Sequence, residues 1–338
     1  MLSYIYKIFA LLFIVSTLTA CGSTTLTKNK DVAVNNDFVI NSRTAIIMPT
    51  NPGHYIIATH GVTDTIINTL IDNPTIRGIS IVYNWVDLEI SKGVYDFSRI
   101  ESDLALLRPL NKHLIVMIRD KSFKNNPFIP VPEYLRTAEY QGGYATGDHE
   151  MIAKRWVHSV GIRFRALITA LGNQFDLDPN FEAIKTSESA TGNIKYFSDY
   201  DATQYVNELN FTSYALAKAF PNTVKVMYLN WIPGSGSIES KLSEVAAYAK
   251  VNGVGIGGPD VHPDVKIPSY DLYPTLANDV PLMTDIQWSN FEHVFPQGDT
   301  DQLFNFALSE LHVSYICWKL RSPYTQNILN TINKYPVL

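Results

Sequence analysis

A single (β/α)8 barrel, running from about Ala45 to Leu338, is the α/β fold that this sequence predicts, and three observations predict it. Short apolar runs alternate with helical patterns from residue 45 to the end, which favours a parallel sheet over a sandwich or a bundle. Eight such runs occur in about 290 residues, a good match to a barrel of this type, which typically takes about 250. The ends of the runs are polar and aromatic, as expected where such a barrel builds its site.

The elements follow in order. A strand over His54–Thr59 leads into a helix over Thr63–Ile71, and a strand over Gly78–Tyr83 into a helix over Phe97–Leu107. The third strand is His113–Ile118. After it comes an insertion from Lys121 to His149, with Pro127, Pro130, Pro132 and the pair Gly142-Gly143, and then a helix over Met151–Leu171. Loops of that length in a compact domain are usually functional, and one that follows a barrel strand lies on the C-terminal face. Strands over Phe181–Thr186 and Val224–Leu229 are each followed by a helix, over Asp201–Ala219 and Ser240–Lys250. The sixth strand, Gly253–Gly257, precedes an irregular Pro268–Asn278 with room for a short helix. Val280–Asp285, a helix over Asp301–Leu311, the strand Val313–Trp318 and a closing helix over Asn327–Lys334 complete the pattern.

Ahead of the barrel, Lys7, the apolar run Ile8 to Val15 and Leu18-Thr19-Ala20-Cys21-Gly22 have the layout of a secretory signal. The apolar run falls short of the ~20 residues needed to span a bilayer. Leu18 to Cys21 resembles the lipobox of bacterial lipoproteins. That resemblance implies removal of residues 1–20, acylation of Cys21 and a lipid-anchored protein of the bacterial cell envelope, with Gly22 favouring the outer membrane. An ordinary signal peptide cut before Cys21 and an uncleaved anchor are the other readings. Residues 21–44, rich in Ser, Thr, Asn and Lys without periodicity, read as a tether. Cys317 is the one other cysteine, so a lipidated Cys21 leaves no intramolecular disulfide and the domain must rest on its own core. A net charge of -5 without a long basic stretch argues against nucleic acid as partner.

The expected strand ends carry His60 after the first, Tyr83, Asn84, Trp85 and Asp87 at the second, Arg119 and Asp120 at the third and Glu188 at the fourth. Asn230 and Trp231 follow the fifth, Asp260 and His262 the sixth, Asp285, Gln287 and Trp288 the seventh, and Trp318 ends the eighth. A Trp face packs against the flat C–H patches of a sugar ring while carboxylates, amides and Arg bind its hydroxyls, so the set suits a glycan cleft. Aromatic residues that merely plug the top of the barrel are the alternative for any one of them. Asp260-Val-His262-Pro-Asp264 spaces three ligand types alternately, but Pro259 and Pro263 stiffen that loop and no second His cluster lies nearby, so no metal is expected. No Gly-x-Ser-x-Gly elbow, P-loop or dinucleotide fingerprint is present, and no cofactor is expected.

The stretch Gly78-Ile-Ser-Ile-Val-Tyr-Asn-Trp-Val-Asp-Leu-Glu89, followed by Gly93-Val-Tyr-Asp-Phe97, resembles the second strand and loop of (β/α)8 glycoside hydrolases, among them the β-galactosidases and cellulases of the large retaining superfamily. Ile129–Leu135, Thr186-Ser187-Glu188 and Trp318 extend the resemblance. It implies Glu188 as acid/base and a carboxylate on the seventh strand as nucleophile. There the chain has Asp285 in place of Glu, with Gln287 on the same face, and Ser187 in place of the usual Asn. Asp260 is the alternative partner for Glu188. Retaining enzymes set the two carboxyls about 5–5.5 Å apart and inverting ones about 6.5–9.5 Å. Three outcomes are open: a retaining enzyme with an Asp nucleophile, an inverting enzyme with Asp285 or Asp260 as base, and a barrel that binds glycan as a non-catalytic or surface-assembly lipoprotein.

Overall fold

The computed structural model describes residues 50–123, 128–234, 236–294 and 299–338, which fall in one compact unit. The signal segment, Cys21, the tether and Pro127 of the insertion lie outside the described residues.

Eight parallel strands close into a barrel: β1 (Gly53–Ala58), β2 (Ile76–Asn84), β3 (His113–Arg119), β4 (Phe181–Thr186), β5 (Val224–Tyr228), β6 (Gly255–Gly258), β7 (Leu282–Ile286) and β8 (Tyr315–Trp318). Each pairs with its neighbours in sequence, and β8 closes on β1 with Tyr55 opposite Cys317. The expected strands are all present, their ends within two residues of the structure.

Outside them lie α1 (Asp64–Asp72), α2 (Ser98–Leu107), α3 (His158–Phe175), α4 (Ala202–Ala219), α5 (Ile238–Val251), α6 (Thr300–Ser309) and α7 (Thr325–Lys334). Four of these start on a side-chain cap. Thr63, Asp201, Ser237 and Asp299 each accept a first-turn N–H, an interaction whose loss typically costs about 1 kcal/mol. Between β6 and β7 stands only a short helical piece, Tyr270–Leu276, as the irregular sequence there implies.

Two elements differ from expectation. The helix predicted from Met151 begins at His158, because Glu150–Ala153 is a strand paired with both Lys121–Phe123 and Tyr144–Thr146. The long insertion is therefore anchored by a three-stranded antiparallel sheet. A helix over Trp288–Val294, after β7, was not anticipated.

Strand alternation divides the side chains between two cores. Tyr55, Ile115, Ala183, Val224, Val226, Tyr228, Met283, Tyr315 and Cys317 form one buried cluster, the filling of the barrel, while the larger cluster lies between strands and helices. Within the barrel the lower level is aromatic and apolar, with the Tyr55 and Tyr315 rings 5.8 Å apart. The upper level is polar, made of Lys185, Tyr228, Asp285 and Cys317. That change of chemistry along the axis positions the site.

The same alternation sends Trp318 outward, because its neighbour Cys317 faces in. Its indole N–H donates to His54 Nδ1 (3.0 Å), and His54 Nε2 in turn lies 2.7 Å from the Tyr335 carbonyl. An Nδ1 that accepts leaves the proton on Nε2, so His54 is the neutral tautomer, and burial accordingly lowers its pKa to about 4. Trp85 is likewise fully buried, edge-on to Phe164 of α3, with its N–H donating to Glu89 (2.9 Å). Glu89 also accepts from the Gly93 N–H and pairs with Arg163 of α3, so it ties the β2 loop to the helix layer.

Candidate active site

A cavity of about 310 Å³ opens at the C-terminal end of the barrel, directly above the polar level. Arg119 from β3, Lys121 and Glu188 just beyond β3 and β4, Tyr228 from β5, Asp285 from β7 and Gln287 beyond it all line it. Both carboxylates proposed for chemistry, Glu188 and Asp285, therefore face the same space.

Their surroundings differ. Glu188 is partly buried, and its Oε2 accepts from Asn230 Nδ2 (2.5 Å), a residue just past β5. Asn230 is itself held, its Oδ1 accepting the Ala190 N–H (3.1 Å) and its own N–H donating to Ser189 (3.1 Å). Burial raises the Glu188 pKa above the usual carboxylate range, and Asp260 and Asp120 add to the rise against the opposing Lys121 and Asn230. A carboxyl of this kind stays protonated to higher pH than an exposed one.

Asp285 is instead bound to a cation. Lys185 Nζ, wholly buried inside the barrel, donates to Asp285 Oδ1 (2.7 Å), and the Tyr228 hydroxyl donates to the same oxygen (2.6 Å) and accepts from Lys185 (2.9 Å). The Lys185 and Tyr228 hydrogen bonds both fall on Oδ1, and the Cys317 thiol also interacts with this carboxylate. Gly257 on β6 makes room for this arrangement, since a Cβ there would stand 2.5 Å from the Tyr228 ring.

Asp260 lies beside the main cavity. It lines a smaller hollow of about 100 Å³ with Asn230, Trp231 and Tyr270, and the two spaces share Pro259. Its Oδ1 faces Asn290 (3.3 Å) and Ser289 (3.5 Å), and lies 4.0 Å from His262 Nε2. Among the described residues no group of three or more His, Cys, Asp or Glu is placed to hold a metal ion.

The other residues singled out from the sequence divide clearly. Arg119 lines the cavity and its Nε donates to Asn84 (2.8 Å), which also donates to Asp87 (2.7 Å). Gln287 lines it too, its amide bound to the Pro259 carbonyl (2.7 Å). Trp231 is 42% exposed in the neighbouring hollow and offers an open ring face. The remainder serve elsewhere. Trp85 and Trp318 are buried against the helix layer and offer no face to a ligand. Tyr83 points outward to donate to Asp103 of α2 (2.7 Å). Asp120 is fully buried, where Arg155 (2.5 Å) and the Ser187 hydroxyl meet it; burial opposes its charge, yet Arg155, Lys121 and Ser187 hold its pKa below the usual value. Trp288 has the Arg321 guanidinium 3.9 Å from its ring centroid, and His60 is exposed outside the cavity lining.

Lys185, Tyr228 and Lys121 were not anticipated. Lys185 had a visible signal, a cation inside an otherwise largely apolar strand, which in a barrel must reach a counter-charge or the solvent.

Comparison with solved structures recovers the same fold. The catalytic domain of a beta-amylase from Paenibacillus polymyxa superposes with a TM-score of 0.60 at 8% identity, over 86% of this chain and 100% of that one. Endo-glycoceramidase II from Rhodococcus sp., in a cellobiose-like imidazole complex, gives 0.53 at 10% identity, over 84% and 79%. The same enzyme as a lactosyl-enzyme intermediate gives 0.52 at 10%, over 84% and 78%. The likeness is one of fold. No family model matches the chain, and no curated protein matches it.

Proposed function

We propose that this protein is a glycosidase acting on an oligo- or polysaccharide, with Glu188 as general acid/base and Asp285 as nucleophile or base. One observation carries the reading: two carboxyls from β4 and β7 line one cavity in opposite environments, one with its pKa raised by burial and one paired with an ammonium. A carboxyl kept protonated by burial, opposite a carboxylate held by a cation, fits the proton-donor and anionic roles in glycoside hydrolysis. The similar structures support carbohydrate as the substrate class, since they include a beta-amylase and an endo-glycoceramidase captured with a lactosyl group. Trp231 and Gln287 are the side chains we assign to sugar binding beside the pair.

A second reading has its own support. The buried Lys185 neutralises Asp285 and weakens it as a nucleophile, which suits a barrel that binds glycan without cleaving it. Screening the full-length chain, in a detergent without a sugar headgroup, against a glycan panel separates the two when both binding and product release are scored. Release of a shortened glycan is the expected result. Binding throughout the panel without release would replace the glycosidase reading with the second one.

We also propose that the protein is anchored in the bacterial envelope through lipid on Cys21, on the strength of Leu18-Thr19-Ala20-Cys21-Gly22. Cys21→Ala is expected to move the protein from the membrane fraction to the soluble fraction on cell fractionation. Unchanged membrane recovery would contradict the anchor.

A further inference from the structure

Two cations at the cavity have no carboxylate in contact among the described residues. Lys185 and Asp285 cancel as an ion pair, and Asp120, beneath the rim, is matched by Arg155. Lys121 lines the cavity with its Nζ on the Glu188 and Ala190 carbonyls (2.7 and 2.9 Å), oxygens that take two of its N–H groups without neutralising its charge. Arg119 lines it too. Its Nε is committed to Asn84 (2.8 Å) and its guanidinium carbon lies 4.7 Å from the Phe128 ring centroid. Among the described residues no carboxylate lies within 4 Å of its nitrogens, whereas Arg108, Arg155, Arg163 and Arg165 each have one. Burial without a contacting counter-ion lowers the Arg119 pKa, with Asp87 only partly offsetting it. Arg119 and Lys121 thus line the cavity with no carboxylate in direct contact among the described residues, Asp87 and Asp260 acting only at longer range.

A guanidinium anchored through its Nε, partly buried and with no hydrogen bond from its terminal N–H groups to another described residue matches a planar or tetrahedral oxyanion better than a hydroxyl. We propose that the cavity selects glycans bearing an anionic group, a uronate carboxylate or a sulfate, and that Arg119 is the residue that binds it. This rests on the glycan reading above and narrows it to acidic glycans. Lys121 contributes through its field, and neutral sugars of the same shape leave the Arg119 donors unpaired, a penalty that discriminates against them.

The test uses matched pairs and the full-length chain in the same detergent. Oligogalacturonate is compared with its methyl ester, a glucuronate-bearing xylo-oligosaccharide with its methyl ester, and a sulfated galacto-oligosaccharide with its desulfated form. The expected result is that the acidic member of at least one pair binds roughly tenfold or more tighter than its neutral partner, the scale of a charge-assisted hydrogen bond, and that added salt weakens this preference. Which pair responds separates carboxylate from sulfate. Arg119→Met should collapse the ratio and Arg119→Lys should keep part of it, with circular dichroism confirming the fold of both. Neutral members bound as well as acidic ones in every pair would overturn the proposal while leaving the glycosidase reading intact. Absence of binding in every pair would also overturn it, and turnover of a neutral glycan in the wider panel would then still support hydrolysis.

Discussion

Glu188→Gln is expected to lower product release by about 10²–10⁴-fold, the usual worth of a positioned general acid. The substitution keeps the shape of the side chain and an oxygen able to accept from Asn230, so the geometry around the cavity persists while the transferable proton is lost. Stability should move the other way. A carboxyl whose folded-state pKa is raised favours the folded state below its unfolded pKa, and that contribution is lost as pH rises through the folded value. At neutral pH the charged form is therefore the penalised one. Glu188→Gln should leave Tm unchanged or higher at neutral pH, with any gain disappearing in acid. For the wild type, activity that needs the protonated acid should be present below the raised pKa and fall as pH rises through it. Turnover retained in Glu188→Gln would remove the residue from the acid role.

The second large effect concerns the ion pair under the cavity. Lys185 and Asp285 have side-chain exposures of 0% and 6%, so solvent does little to screen them. Lys185→Met leaves the Asp285 carboxylate buried with only neutral partners, the Tyr228 hydroxyl and the Cys317 thiol, and breaking a buried pair from one side typically costs about 3–5 kcal/mol. Adding Asp285→Asn to the same chain removes the stranded charge, so the double variant should be clearly more stable than Lys185→Met alone. Denaturant midpoints of the four proteins in the cycle measure this directly. A cost below about 1 kcal/mol for Lys185→Met would mean that the pair is not formed as described.

Much of the barrel was legible because its signals are local. Runs such as His113–Ile118 and Val313–Trp318 are mostly apolar and β-rich, and each is a strand close to its expected limits. What the runs do not reveal is which alternate side chains face the axis. Two neighbours at a strand end point to opposite layers, so Cys317 entered the barrel and Trp318 the helix interface, while Asn84 faced the rim and Tyr83 went to Asp103. Trp318, expected as a sugar platform, is core for that reason, whereas Trp85 is buried just past its strand by packing on Phe164, and Trp231 stays half exposed. The partners of the two carboxyls were hidden for a different reason. Asn230 and Lys185 act across distances of 42 and 100 residues in sequence, a pairing that only closure of the sheet creates. The insertion after β3 differs in part from expectation because Glu150–Ala153 is a strand held between Tyr144–Thr146 and Lys121–Phe123, the latter nearly thirty residues earlier.

The central claim, that a glycan is held between Glu188 and Asp285, is tested most directly by a crystal structure of the Glu188→Gln protein with its best-bound oligosaccharide. The account predicts a glycosidic oxygen within about 2.6–3.2 Å of the residue 188 side chain and an anomeric carbon facing Asp285 Oδ2. Direct approach of that oxygen to the carbon would go with a retained anomeric configuration, and an intervening water with inversion. A glycan seated away from the cavity, or one whose anomeric carbon meets neither Asp285 nor a water held by it, would contradict the account.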